Sequence, residues 1–443
     1  MHNSSMQENN LKNLTGKVSF ISAFPHALQH VLAMFATNLV PILTLAAIGI
    51  NKISDEMTLA LIQNAMFVAG IATFIQVSPI WKLGSGLPVV MGLSFTFLVP
   101  LTSVAYKYGY GAVVGTVIAG GIFEGLMGIT ARYWKRIITP IVSATVVTGI
   151  GLSLLGTAAR SFGGGLVEDF GSTKYLIVGV VTITSCILWQ ILTKGNKRLL
   201  SILVGLIVGY LTSLLAGLVV FPDFSQVRFI DFPRILPIRP EFHIDSIISI
   251  CIIFLVSATE TIGDVSAVSS GALHRDATQD EISGALMIDG FGSMIGGIFG
   301  VTPVTSYSEN VGLTIMTNVI NRNVLRIAAG ILMICAFFPP IGYFFRTIPA
   351  PVIGGVLLVI FGQIIVSGFQ MVSQAGFTTR NKLIASLSLA IGIGFTETNS
   401  AGIWNNMPTI IQAMFSQNVV VVVFVVSLLL SLVLPKNLDE QQY

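Results

Sequence analysis

Apolar residues run along this chain in long blocks separated by short polar turns, and about fourteen of the blocks approach the roughly 20 residues that cross a bilayer. Their edges fall near 22–49 and 57–78, then in a third span after Gly84-Ser85-Gly86 that contains 87–97. Four more follow near 110–131, 138–158, 175–193 and 198–220. The polar connection 221–243 divides the chain in half. Beyond it come 246–270, 282–300, 302–319, 324–345, 349–372, 383–396 and 418–435, with 401–417 reading as an amphipathic, interfacial segment.

Two of these blocks cannot be ordinary helices. In VTPVTSYSENVGLTIMT, residues 301–317, Pro303 lacks a backbone donor and Val304 to Tyr307 favour an extended chain. A helix-compatible segment starts at Glu309 and Asn310, and Gly312 allows close backbone approach. The third span repeats the pattern: Ser94 follows Pro88-Val89 at the interval by which Glu309 follows Pro303-Val304. Pro140 and Gly151 likewise match Pro351 and Gly362. An odd number of spans per repeat inverts one half relative to the other. The expected fold is therefore an all-α polytopic membrane protein of about fourteen spans in two inverted seven-span repeats, with two short antiparallel β-strands in broken spans 3 and 10.

Composition agrees. Only 10% of residues are charged and 53% are hydrophobic, whereas a soluble domain carries about 25% charge. The net charge of +3 is dispersed through loops and gives no nucleic-acid footprint. Cys186, Cys251 and Cys335 all lie in apolar stretches, which favours neither a disulfide framework nor a metal site. The polar first nineteen residues read as a cytosolic tail. With both termini on one face, that face receives the larger share of the 23 Lys and Arg, which places the termini in the cytoplasm of a cell carrying this protein in its plasma membrane.

The rare items are acids inside the spans: Glu124, Glu260, Asp264, Asp289 and Glu309, with Glu397 at a span end. No Lys or Arg lies deep in a span to neutralise them, and each buried charge costs about 2.5–3.5 kcal/mol, so function is the default reading. Glu260 and Asp264 stand four apart on one helix face. Burial and a like charge both disfavour the ionised form, so such a pair can load and release a proton. Asp289 sits on a Gly-rich helix suited to a network or coupling role. Glu124, flanked by glycines, reads most simply as a packing polar. His30 is as consistent with a buried core histidine as with a hydrogen-bonded network member, and no third ligand near His26 and His30 points to metal. Ser94-Phe95 mirrors the Glu309 stretch, which leaves Phe95 open between core filling and ring stacking. The loop at 162–165, FGGG, is not part of a strand–loop–helix with a Lys and so reads as no phosphate cradle, and no catalytic triad appears. The chain does not read as an enzyme, and no cofactor is implied.

These residues resemble the nucleobase–ascorbate transporter family, or nucleobase cation symporters. Its signature runs Gln, Glu or Pro, then Asn, any residue, Gly, four residues, Thr and a final Arg, Lys or Gly. Glu309-Asn310-Val311-Gly312 and Thr317 fit it, and Asn318 departs at the last position. QHVLAMFA at 29–36, SFTF at 94–97 and ETIGD at 260–264 also look like the family's, with Asp289 at the expected distance before the signature.

The resemblance implies a tail (1–20), a core domain (21–135 and 244–346) and a gate domain (136–243 and 347–443), paired as a homodimer and working by an elevator-like movement in the bacterial inner membrane. It implies that Glu260 and Glu309 bind a nucleobase, that Phe95 stacks on it, and that Ser308, Thr37 and Ser94 line the pocket. Asp264, Asp289, His30 and Asn310 would form the coupling network. The family's pattern leans toward a purine such as xanthine, urate or guanine with proton coupling, because Asp264 and Asp289 look like the purine branch. Glu309 looks like the uracil carriers, which keeps uracil open, and a sodium-coupled carrier stays open beside a proton-coupled one. An anion transporter of the same architecture fits less well, since a site for a divalent anion should not present two glutamates. A channel or receptor that binds a base without pumping it is the third reading.

Overall fold

The computed structural model describes residues 9–48, 53–134, 139–165, 167–194, 198, 200–221, 228–396, 401–408, 411–412, 415–416, 418–435 and 438. Glu397 lies outside them. Helix α1 spans Phe20–Ile48 and α2 spans Asp55–Val77. Strand β1, Met91–Leu93, and a 3-10 turn, Phe95–Phe97, lead into α3, Leu98–Tyr108. Then come α4 (Tyr110–Ile129), α5 (Pro140–Phe162), α6 (Thr173–Leu192) and α7 (Ser201–Leu215). The second half holds α8 (Ile244–Leu273), α9 (Gln279–Ile298), strand β2 (Val304–Ser306) and α10 (Ser308–Thr317). It closes with α11 (Arg322–Ala336), α12 (Pro339–Arg346), α13 (Ala350–Ala375), α14 (Thr379–Gly394) and α15 (Val419–Val433).

Among the described residues, seven helices are long and apolar enough to cross a membrane: α1, α2, α4, α5, α6, α8 and α13. The chain is a multi-pass membrane protein. Local chemistry sets several boundaries. The Ser54 side chain accepts from the Met57 N–H at 3.2 Å to start α2. A capping box between Thr278 and Glu281 starts α9. The expected span 324–345 is not straight: α11 and α12 meet at a bend of 82°. Pro339 and Pro340 supply no backbone donors to continue α11, so the chain breaks there.

The helices pack in two groups. In one, α2 lies on α11 as α9 lies on α4, with α1 on α2 and α8 on α9. In the other, α5 lies along α13, α6 on α7, and α14 on α15. Closeness in the first group depends on glycine. A Cβ placed on Gly290 of α9 would collide with the backbone of Gly125 on α4, and one on Gly70 of α2 would meet the Ala329 carbonyl at 2.9 Å. Gly312 differs from expectation, because a Cβ there meets nothing within 4 Å. No close backbone approach requires that glycine.

Candidate substrate and coupling site

The two broken spans meet at an antiparallel ribbon. Met91 pairs with Ser306, Gly92 with Thr305 and Leu93 with Val304. The pairing continues at both ends, where Ser94 N donates to Pro303 O and Tyr307 N to Val90 O, each at 2.9 Å. A strand this short is unstable by itself, so side chains from neighbouring helices hold it. Asn38 Oδ1 accepts from Leu93 N at 2.9 Å, Thr73 Oγ1 accepts from Met91 N at 2.9 Å, and Ser293 Oγ accepts from Val304 N at 3.0 Å. The Tyr307 hydroxyl donates to Leu93 O at 2.8 Å. With its backbone groups partnered, irregular chain can persist inside a membrane protein. Because the two strands run antiparallel, the helical segments that follow them start at opposite ends of the ribbon.

Helix α8 lays its acids against this ribbon. Thr96 Oγ1 donates to Glu260 Oε2 at 3.1 Å. One turn on, Asp264 receives the Ser306 hydroxyl at 2.5 Å and the Ser308 hydroxyl at 2.9 Å. Between the two acids, Thr261 donates to Asp289 of α9, and Thr305 does so at 3.4 Å. Hydroxyl bonds to a charged group contribute about 1.5–3 kcal/mol each, so this set fixes the acids' positions firmly. Asp289 is fully buried, and no described group bonds its Oδ1.

Separately from these acids, Asn310 of α10 meets His30 of α1. The Asn310 amide nitrogen lies 3.1 Å from His30 Nδ1 and 3.0 Å from the His30 carbonyl oxygen. The carbonyl accepts only from a donor, which fixes the amide orientation. Nδ1 is then an acceptor, and the ring proton resides on Nε2.

Glu309 is half-buried and lines a cavity of about 500 Å³ with Ala33, Gln190, Arg198, Ser201 and Gln363 among its neighbours. Of the expected ligands Glu309 alone is among the residues that line this cavity; Glu260, Phe95, Ser94, Thr37 and Ser308 are not. Phe95 packs edge-on against Phe361 of α13, ring centres 5.5 Å apart. Ser94 is buried and caps the 3-10 turn through the Thr96 N–H. Thr37 is buried and donates to Met34 O within its own helix at 2.8 Å. Ser308 is exposed, with its hydroxyl on Asp264.

Several contributors escaped the sequence reading. Thr261, Thr305 and Ser306 were visible only as β-prone or small helix residues, yet their hydroxyls join the acids. Arg198 belongs to a polar turn by its sequence but reaches the Glu309 cavity, anchored by a bond from Nε to Thr193 O at 2.8 Å. Gln363 looked like one polar residue in an apolar span.

A model of the Permease family matches residues 22–400. The chain belongs to that family. It is the nucleobase–ascorbate transporter group that the signature resembled, and its members are transporters, not enzymes. The xanthine permease of Bacillus subtilis is 31% identical over 89% of this chain and 89% of its own length. The uric acid permease PucJ of the same organism is 30% identical over 90% and 89%. The xanthine permease XanQ of Escherichia coli K12 is 31% identical over 86% and 85%. Solved structures share the fold of this permease at low identity. The transmembrane domain of a cyanobacterial bicarbonate transporter, BicA, superposes with a TM-score of 0.57 at 15% identity, covering 84% of this chain and 99% of that one. The murine anion transporter Slc26a9 gives 0.62 at 9% identity, covering 90% and 67%.

Proposed function

We propose that this permease is a nucleobase:proton symporter that imports a purine base, with xanthine, urate and guanine the leading candidates. The observation that carries the reading is the convergence on one ribbon of two half-helix N-termini, the Glu260–Asp264–Asp289 set and the cavity at Glu309. A purine is flat and presents neighbouring N–H and C=O groups. Glu260 and Glu309 accept from its N–H groups, the N-terminus of α10 offers backbone donors to a carbonyl oxygen, and Phe95 provides a stacking face. The cavity that Glu309 lines, about 500 Å³, falls in the usual range of roughly 300–1,000 Å³ for small-molecule pockets, and a base entering by it meets Glu309 first and Glu260 beyond its lining. Asp264, Asp289, His30 and Asn310 couple base binding to the proton. Relatives named as xanthine and uric acid permeases support a purine over uracil.

The two packing groups are taken as core (21–135 with 244–346) and gate (136–243 with 347–443), the core sliding as an elevator within a homodimer. The exchange of partners between halves, α2 on α11 against α9 on α4, supports inverted repeats. The turn after α10 carries Asn321, which donates to the carbonyls of Asn10, Asn13 and Gly16, so α10 runs from the ribbon to the N-terminal face. With that face cytoplasmic, a cavity reaching Arg198 is open inward.

Uptake of labelled xanthine and labelled uracil, each challenged with the full set of unlabelled bases, tests the assignment. Purines alone should compete strongly for xanthine uptake, and saturable uracil uptake untouched by purines contradicts the reading. Asp264→Asn should retain uptake but flatten its decline as external pH rises, because the amide oxygen still accepts one serine hydroxyl and the amide N–H donates to the other serine oxygen, while the group holds no titratable proton. A wild-type pH profile in that variant removes Asp264 from the coupling network.

A further inference from the structure

We propose that Glu124 is a second proton-holding residue of the coupling relay, exchanging a proton with Asp289 during each transport cycle. The inference rests on the symport reading and extends it to a helix, α4, that contributes nothing to the ribbon or the cavity. Glu124 is fully buried, and neither carboxyl oxygen bonds to any described group. Its partner acid shows the same feature on one side: Asp289 takes hydroxyls from Thr261 and Thr305 on Oδ2, while Oδ1 has no described partner. Two buried acids with unfilled oxygens occupy neighbouring positions on helices that touch backbone to backbone.

That contact decides what can stand between them. A Cβ on Gly290, the residue after Asp289, would collide with Gly125 and come within 2.6 Å of the Glu124 carbonyl carbon. Helices this close leave no room for a hydrated ion. A bare carboxylate in such a place costs several kcal/mol, and a proton is the one positive charge small enough to remove that cost. The groups acting on Glu124 are Asp289 from α9 and Glu260 from α8, both acids. Lys107, at the far end of α3, is committed to Asp245 at 2.8 Å. Asp289, with two hydroxyls on Oδ2, is the member that can carry the negative charge, and Glu124, with none, is the one that holds the proton. In the exchange an O–H bond breaks at one residue as one forms at the other, and the charge of the pair is unchanged.

The geometry also links this store to the base. From Asp289, hydroxyls run through Thr261 and Ser306, 3.5 Å apart, to Asp264, and from there through Ser308 to the start of α10 beside Glu309. Glu124 is not among the residues that line the cavity. Asp289 can thus be vacated when base binding reorganises Asp264 and refilled from behind.

Glu124→Gln keeps the size of the side chain and cannot release a proton. In proteoliposomes it should bind labelled xanthine within about threefold of wild type, while the ratio of uptake at low to high external pH drops about tenfold, the weight of one proton-linked step over one pH unit. A wild-type pH ratio and proton:base stoichiometry in this variant overturn the proposal. Should Glu124→Gln fail to fold, infrared difference spectra of wild type and Glu124→Asp decide. A carboxylic acid band that changes on xanthine binding and moves with the residue at 124 supports the role, and the absence of any such residue-dependent band overturns it. Wild-type uptake that ignores an imposed pH gradient would instead sink the symport reading itself.

Discussion

Glu260→Gln should abolish uptake of the base while leaving the carrier folded. Glutamine keeps the shape and one acceptor for the Thr96 hydroxyl, which now lies 3.1 Å from Glu260 Oε2. It replaces the other acceptor with an N–H that opposes the N–H of an incoming base. A hydrogen bond to a charged group contributes about 1.5–3 kcal/mol, and an unpaired donor in a buried site adds a penalty of about 1–3 kcal/mol. At 1.4 kcal/mol per factor of ten, binding should weaken by at least about 60-fold. Equilibrium binding of labelled xanthine, alongside a thermal melt of the purified protein, checks this. Retained affinity in a folded variant would remove Glu260 from the binding site.

Gly290→Val should be the most damaging change outside the acids. The Cβ would meet the backbone of Gly125 and Glu124 rather than a flexible side chain, so α4 and α9 must separate. Overpacking of a dense interior costs about 1–3 kcal/mol where side chains can yield, and more where backbones meet. Asp289 would move with its helix and lose the Thr261 and Thr305 hydroxyls. Little protein should reach the membrane, and what does should melt many degrees below wild type. Gly312→Ala is the contrasting control, since open space surrounds that position and the melting temperature should hold. A stable, active Gly290→Val carrier would contradict the packing described for α4 and α9.

The large outline of the molecule is readable in the sequence because a bilayer imposes one length and one polarity on every crossing segment. The broken spans are readable for a related reason: Pro303 and the run Val304 to Tyr307 are poor material for a membrane helix. The acids stand out because nothing basic lies in the spans beside them. What the sequence hides is orientation. The hydroxyls of Thr261 and Ser306 are common helix and strand residues, and only the register of α8 against the ribbon brings them to Asp289 and Asp264. The glycines that flank Glu124 are too common a feature of membrane helices to single out the Gly125–Gly290 contact. The break before Pro339 went unread, since 324–345 was expected as one span, and its angle depends on what the two pieces pack against. Arg198 and Gln363 reach the cavity through tertiary geometry that no local pattern encodes.

The most direct test of the central claim is uptake of labelled xanthine into proteoliposomes holding the purified wild-type protein, with the outside made acidic relative to the lumen. Symport through the ribbon site predicts transient accumulation above the external concentration, abolished by a protonophore. Uptake that only equilibrates, at a rate indifferent to the gradient, would contradict it.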